Sequence, residues 1–565
     1  MSKKLINNPK NVVREMLEGV VDSSDELALL EHANVALLAD LPEAEKRPVA
    51  VISGGGSGHE PAHAGYVGKG MLSAAVAGDI FTSPSTDAVL HAIRACAGPA
   101  GAVLVVKNYT GDRLNFGLAA ELAQTEGIPV EIVVVADDVS LRETVSEERR
   151  RGIAGTVLIH KIAGAAAAKG KSLSDVAEIA RKAAGALGSM GVALGACTLP
   201  GAKGPGFELE SDEIELGLGI HGEKGVERRE IAPADDLCKT ILKTIIDDRN
   251  ITTSDRVALL VNGLGATSAL ELSIMTRGAV NYLRDQNITI ERIWCGTLLS
   301  ALDMPGCSLS LLKLDDERCA LLDAETSARA WPGSGRISHK RREIADPKGS
   351  SDEINYPEAG PLAEKIEKIG RAVAQKIKDE EPHLTDLDTK AGDGDLGASL
   401  ERGADAMLDL PAKAWATPAT ALIATGNALR KAIAGSSGPF YANALIRAGR
   451  HLQECDNPGP REWAEAFDIG ANAIAELGGA KEGDRTMLDA LLPAARAFDE
   501  AAKAGKSGKE AWQAACDAAR KGADGTAEMK PELGRASYLG ERAVGVPDGG
   551  AIAIAIWMQE IADNL

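Results

Sequence analysis

Four aspartates, Asp386, Asp388, Asp393 and Asp395, fall within one short stretch of the chain. Carboxylates this close repel one another unless cations bridge them. An EF-hand loop does not account for them, because its invariant sixth-position glycine would be residue 391, which is Ala391. A few carboxylates sharing a cation with phosphate oxygens is the pattern expected for Mg²⁺; the plainer reading is an acidic solvated turn. Three Gly-rich loops follow: Gly435-Ser-Ser-Gly-Pro439, Leu477-Gly-Gly-Ala-Lys-Glu-Gly-Asp-Arg485-Thr-Met487 and Gly545-Val-Pro-Asp548-Gly-Gly550. Loops that lead into helix N-termini suit phosphate groups. Together with the aspartates they predict a Mg-nucleotide site at one end of a helix bundle.

The first half of the chain carries a different set of reactive side chains. Ser53-Gly-Gly-Gly-Ser57-Gly58-His59-Glu-Pro61 follows an apolar run at 49–52. The dinucleotide spacing fails, since the third glycine of G-x-G-x-x-G would be His59. The segment reads as a tight strand-to-helix turn whose backbone N–H groups could approach a small ligand. Lys107-Asn-Tyr-Thr-Gly-Asp112-Arg-Leu-Asn-Phe-Gly117 also leaves the end of an apolar run. It offers a carbonyl polariser and a base at the edge where open α/β sheets bind ligands. In Leu216-Gly-Leu-Gly-Ile-His221-Gly-Glu223 a single histidine lies among glycines. A lone histidine is usually structural, but a neutral imidazole can also add to a ketone or aldehyde carbonyl. Gly170-Lys-Ser and Gly505-Lys-Ser are not P-loops, because the glycine required five positions earlier is Ala165 or Glu500.

The elements that must hold these groups fall into two architectures. Up to about residue 330, five- to seven-residue apolar runs at 49–53, 101–107, 130–136 and 256–262 alternate with helical stretches. Such runs suit a parallel sheet covered on both faces. A Gly/Pro-rich stretch at 200–206 and the fresh run at 256 split this part into two α/β subdomains. Residues 333–357 are charged and lack apolar periodicity, as a linker would. Beyond them Leu362, Ile366, Ile369, Val373 and Ile377 mark one helix face, and Ala-rich helical segments recur to the end. The fold class is multidomain: α/β followed by an all-α bundle of about eight helices.

Composition bounds the function further. The 565 residues carry a formal net charge of −20, which argues against broad nucleic-acid or anionic-membrane binding. Aromatics are 3%, so the core must be aliphatic. The 8 cysteines are scattered with no C-x-x-C pair, against a zinc ribbon or a dense disulfide framework. The amino terminus has no apolar signal region, and no apolar run is long enough to span a membrane. A reduced, cytoplasmic protein is the expectation.

In this order, the Gly-Gly-Gly-Ser-Gly-His-Glu-Pro, Lys-Asn-Tyr-Thr-Gly-Asp, Gly-Leu-Gly-Ile-His-Gly-Glu and Gly-Asp-Gly-Asp motifs resemble the single-chain, ATP-dependent dihydroxyacetone kinase (glycerone kinase or triokinase) family along essentially the whole chain. The resemblance implies a K-type triose-binding domain at 7–332, a linker at 333–357 and an L-type nucleotide-binding helical barrel at 358–565. It implies that His221 bonds covalently to the substrate carbonyl as a hemiaminal. Gly56, Ser57, Gly58, His59, Lys107 and Asp112 would line the triose site, with Asp112, helped by His59, as the base. Asp388, Asp393 and Asp395 would hold two Mg²⁺ ions. ATP would meet Leu396, Gly397, Ala398, Ser399, Ser436, Ser437, Gly478, Thr486, Met487, Arg535, Asp548, Gly549 and Gly550. The family's last loop usually reads Asp-Pro-Gly, where this chain has Asp548-Gly-Gly550. A homodimer is implied, with the nucleotide domain of one chain over the triose domain of the other. D-Glyceraldehyde is an implied second substrate. The alternatives are FMN cyclase (FAD-AMP lyase) activity at the same nucleotide site, typically with Mn²⁺, and a non-catalytic triose-binding regulator.

Overall fold

The computed structural model describes residues 3–345, 356–455, 457–533, 537 and 540–565. Its contacts divide the chain into two units, Met1–Ile344 and Ala345–Leu565.

The first unit holds two six-stranded sheets. The first sheet has the order β1 (Leu27–Leu29), β2 (Val35–Leu38), β4 (Ala74–Ile80), β3 (Ala50–Ser57), β5 (Ala102–Lys107), β6 (Val130–Val135). Its four strands from β4 to β6 are parallel, while β1 and β2 form an antiparallel edge. Alternate residues face opposite ways along each strand. Ile52 and Leu104 pack under α2 (Thr86–Cys96) and α3 (Thr110–Thr125). Val51 and Val103 pack toward α1 (Val12–Asp22), α4 (Thr156–Ala168) and α5 (Leu173–Gly185). Burial on both faces is why these strands read as continuous apolar runs.

The second sheet departs from the parallel expectation. Its order is β11 (Thr289–Gly296), β10 (Arg256–Gly263), β12 (Gly306–Leu314), β7 (Leu187–Ala193), β8 (Glu213–Leu216), β9 (Glu227–Glu230), and only β10 with β11 is parallel. Helices α6 (Ala234–Arg249) and α7 (Ala269–Asp285) pack on one face. The other face packs into a core, shared with the first sheet, that contains Leu158 and Ile162 of α4. Every residue of α4 from Thr156 to Ala167 is buried, so this helix is enclosed all round rather than striped, with His160 and Lys161 among its buried side chains. The short α8 (Asp316–Leu322) closes the unit's regular structure.

The second unit is helical: α9 (Ala363–Asp379), α10 (Glu381–Ala391), α11 (Leu396–Leu408), α12 (Pro418–Ala432), α13 (Ser437–His451), α14 (Pro460–Gly478), α15 (Leu488–Lys503), α16 (Gly508–Gly525) and α17 (Gly549–Asn564). From α11 to α17 each helix packs on the next, and α9 lies against both α11 and α17, which closes a ring of eight with the short α10 as a connector. Small buried residues such as Ala490, Ala494, Ala515 and Ala553 line its core, and Phe467, Phe498, Trp512 and Trp557 form its aromatic cluster. Neighbours joined by short connections run antiparallel. The longer link from α16 to α17 also returns to its start, since the Asp548 N–H donates to Thr526 Oγ1 at 2.8 Å. Alternate helices α11, α13, α15 and α17 therefore begin at one end of the barrel.

Candidate active site

In the first unit, β3 continues through Gly54, Gly55 and Gly56 to Ser57, pairing with β4 up to Ile80 with a register shift between Gly56 and Ser57. The predicted strand-to-helix turn is therefore a strand end. The glycines are required by what lies against them. A Cβ on Gly54 would lie 2.2 Å from the Val76 carbonyl oxygen, and one on Gly55 would lie 2.6 Å from Lys107 Nζ. The backbone of β3 thus makes room for a lysine beside it.

Lys107 ends β5 and Asp112 lies in the first turn of α3, so both emerge at the C-terminal edge of the sheet. Lys107 is fully buried and Asp112 is 3% exposed. Burial lowers the Lys107 ammonium's pKa, while the charges of Asp112 and Asp137 oppose that shift. Ser83 Oγ donates to Asp112. Across from them, His59 and His221 approach with ring centroids 4.9 Å apart. The His221 ring also meets Tyr109 at 4.6 Å and Phe81 at 5.2 Å. The structure thus brings the three predicted motifs together where loops of both sheets meet.

The hydrogen bonds assign the tautomers of both histidines. His59 Nδ1 faces the Ser300 carbonyl oxygen at 2.8 Å, an acceptor only, so Nδ1 carries the proton. His221 Nδ1 faces Glu223 Oε1 at 2.9 Å, and the His221 backbone N–H donates to Glu223 Oε2 at 2.9 Å. In its neutral form each ring presents Nε2 as a lone pair, and in its protonated form His221 sets its charge against Glu223. His59 is held neutral by burial, reinforced by the charges of Lys107 and His221. Burial pushes the Glu223 carboxyl up, but its hydrogen bond to His221 and that ring's charge outweigh it and bring it down to about 2. His221 retains 19% side-chain exposure, which leaves it reachable by a small molecule. Such an arrangement can hold a carbonyl compound by covalent addition at Nε2 while Asp112 accepts a hydroxyl proton.

In the barrel, the predicted phosphate contacts collect at the shared end. Leu396, Gly397, Ala398 and Ser399 open α11; Ser436 and Ser437 start α13; Thr486 and Met487 precede α15; Asp548 caps α17, which begins with Gly549 and Gly550. Gly478 ends α14 beside Phe440 of α13. A Cβ on Gly549 would lie 2.7 Å from Leu396 Cδ2, and one on Gly550 would lie 3.7 Å from Met487 Cβ, which ties three of these helix starts together. Arg535 falls outside the described residues. Four helix N-termini at one end converge partial positive charge suited to phosphates.

Asp388, Asp393 and Asp395 can each place a carboxylate oxygen within 4.8 Å of the others, with Asp388 half-buried and the other two exposed. Three hard oxygen donors at that spacing fit a Mg²⁺ site. Asp386 does not join them, because it pairs with Lys390 at 2.5 Å one helical turn along α10. Gly394, at φ 81, makes the turn that separates Asp393 from Asp395. Behind the site, Asp489 accepts from the Gly483 and Thr486 N–H groups and so shapes the loop into α15. Arg485, 2% exposed, donates to the carbonyls of Thr526, Ala543 and Val546. Asp548 is pushed up to about 6 by burial and by the charges of Asp489 and Asp388, against the opposing Ala551 N–H and Arg485.

Sequence reasoning missed the residues that hold these groups in place. Glu223 stands two positions from His221 and was visible as a motif letter, but its hold on Nδ1 was not. His63, Ser53 and His160, which lie beside Lys107, have no common spacing from which to find them.

The chain thus pairs a two-sheet α/β unit carrying a Glu223-bonded histidine with a helical barrel carrying three clustered aspartates. The chain matches the Dak1 domain over residues 18–330 and the DAK2 domain over 390–563. It is 41% identical to human "Triokinase/FMN cyclase" over 100% of this chain and 99% of that protein. It is 37% identical to "Dihydroxyacetone kinase" of Citrobacter freundii over 100% of both. The crystal structure of the C. freundii dihydroxyacetone kinase in complex with AMP-PNP and Mg²⁺ superposes with a TM-score of 0.66 at 36% identity, covering 100% of both chains. The chain belongs to the dihydroxyacetone kinase family.

Proposed function

We propose that this protein transfers the γ-phosphoryl group of Mg-ATP to dihydroxyacetone, and also to D-glyceraldehyde. Residues 7–332 would bind the triose, 333–357 would link, and 358–565 would bind the nucleotide. The reading rests on one observation above all: Glu223 holds Nδ1 of His221, a partly exposed ring packed against His59, Phe81 and Tyr109, so that the ring's other nitrogen is the one left for a substrate.

The chemistry follows from these side chains. His221 Nε2 adds to the triose carbonyl carbon as the C=O π bond breaks, and the resulting alkoxide takes a proton from the solvent that reaches this partly open site, giving a hemiaminal on a positively charged ring. The proton on Nδ1 stays paired with Glu223, which offsets the positive charge that addition brings to the ring. Asp112 accepts the proton of the terminal hydroxyl, with His59 beside it, as that oxygen attacks the γ-phosphorus and ADP leaves. Gly56, Ser57, Gly58 and Lys107 confine the triose. Phosphoryl transfer depends mostly on positioning and charge neutralisation. Two Mg²⁺ ions held by Asp388, Asp393 and Asp395 would supply the second when bound. Glycerol has no carbonyl to bond to His221 and is excluded by chemistry rather than by fit.

The test is a coupled kinase assay with dihydroxyacetone, glyceraldehyde and glycerol, with and without Mg²⁺. Activity on the first two that needs Mg²⁺, and none on glycerol, is expected; activity on none of the three overturns the proposal. A second reading is favoured by the human relative's name, "Triokinase/FMN cyclase": the nucleotide end would also convert FAD to cyclic FMN with Mn²⁺. Release of cyclic FMN without triose would establish it. A purely regulatory triose-binding role would not need the metal-competent aspartates. We place the protein in the cytoplasm as a homodimer, each nucleotide unit serving its partner's triose unit. Light scattering, and complementation between variants defective in opposite units, test that arrangement.

A further inference from the structure

Behind Lys107 runs a buried chain of polar groups that the reaction above does not use. Lys107 Nζ lies 2.7 Å from His63 Nε2. His63 Nδ1 lies 3.4 Å from Ser53 Oγ, and His160 Nε2 approaches the same oxygen at 3.0 Å. Ser53, Lys107 and His160 are fully buried, and His63 is 6% exposed.

The proton positions follow from one bond. Ser53 Oγ donates its only hydrogen to the Val105 carbonyl oxygen, at 2.6 Å. Toward both histidines it can then only accept. His63 Nδ1 and His160 Nε2 must each carry a proton. In neutral His63 the other nitrogen, Nε2, is consequently a lone pair, and it faces a lysine that can only donate. Burial and the nearby charge of Lys107 favour that neutral form.

We infer that His63 is a positioning residue for Lys107, locked by Ser53 in the Nδ1–H tautomer so that its Nε2 takes one Lys107 hydrogen and aims the others past Gly55 toward Asp112 and the triose. The geometry beside Gly55 agrees: a Cβ there would lie 2.6 Å from Lys107 Nζ and 3.6 Å from both Asp112 Oδ2 and His63 Nε2, so all three groups gather at this one glycine. The strand, the lysine and the histidine form one fixed cradle. The inference rests on the proposed triose site, but its tautomer can be tested without it.

The experiment uses the full chain labelled with ¹⁵N-histidine, which has 9 histidines to assign. His63 is expected in the Nδ1–H form, with an Nε2 resonance that shifts in Lys107→Met and a tautomer that is no longer fixed in Ser53→Ala. An Nε2–H form in the wild type, or an Nε2 shift that ignores Lys107→Met, overturns the inference. In kinetics, His63→Leu should lower kcat/KM for dihydroxyacetone by about 10- to 100-fold, the scale of one lost charge-assisted hydrogen bond, with KM for ATP unchanged. His63→Gln offers an acceptor oxygen near the same place and should recover most of that loss. Equal loss in both variants at wild-type melting temperature would mean that His63 only fills space, and overturns the inference. If the wild type phosphorylates none of the trioses, the proposed function fails, and the tautomer measurements still decide this inference.

Discussion

The two sites solve opposite problems. In the first unit the chemical groups are already desolvated: His59 and Lys107 are fully buried, and each has a hydrogen-bond partner that orients it. At the barrel end the carboxylates stay half-buried or exposed, and the other binding groups are backbone N–H donors at helix starts. On the proposed function, a neutral triose brings no charge to the first unit, so its site must supply orientation in advance. A nucleotide brings charge and its own cations, so its site needs only a frame that accepts both. One site is built from locked side chains, the other from helix ends that any residue's backbone can provide.

The largest effect should come from removing the proposed covalent anchor. His221→Ala should lower kcat/KM for dihydroxyacetone by about a thousandfold or more, while ATP binding measured by calorimetry is unchanged. If ATP affinity fell equally, the two sites would not be separable as described. Next, Asp393→Asn should lower kcat by about a hundredfold, with part of the loss recovered at raised Mg²⁺ and triose affinity intact. A loss that no Mg²⁺ concentration relieves would mean that Asp393 does not hold the metal.

A smaller effect should follow from Glu223→Gln, which keeps an acceptor for His221 Nδ1–H but removes the charge. We expect about a tenfold loss in kcat/KM. The pH behaviour sharpens this. The folded-state pKa of Glu223 is held at about 2, below its ordinary 4.5. Its contribution is therefore complete above the ordinary value and is lost as pH falls toward about 2. The wild type should lose stability across that acid window, and Glu223→Gln should lose less, as read by thermal unfolding at each pH.

The sequence made the fold class legible because periodicity changes from continuous apolar runs to a helical stripe, as Ile52 and Leu104 against Ile366 and Ile377 illustrate. It did not reveal the antiparallel second sheet, since of its strands only β10 stands out as a continuous apolar run, and β7, wholly buried, is interrupted by Gly188, Ser189 and Gly191. Of the site, side chains with intrinsic reactivity stood out: His221, Lys107, Asp112 and the aspartates. Their supports did not. The Ser300 carbonyl accepts the His59 Nδ1–H hydrogen bond across 241 positions, and Ser53 and His160 meet across 107. Contacts over such separations exist only once the sheets are assembled. The helix starts of the barrel were legible as Gly loops, but their convergence needed the alternation of direction around a closed ring.

The smallest expected effect tests whether the barrel end is strained when empty. Asp548 has a folded-state pKa of about 6, above its ordinary 3.8, chiefly through burial and then through Asp489 and Asp388. The native state therefore holds that proton over a range where the unfolded chain has released it. Stability from this group is greatest below about 3.8, declines as pH rises, and stays reduced above about 6. Asparagine keeps an oxygen that can accept from the Ala551 N–H, so the cap of α17 survives the change. Asp548→Asn should raise the melting temperature of the nucleotide-free protein at neutral pH by a few degrees, on the order of 1–2 kcal/mol, with the gain vanishing near pH 4. A lower melting temperature at neutral pH would mean that Arg485 already compensates this carboxylate and that the empty end is relaxed.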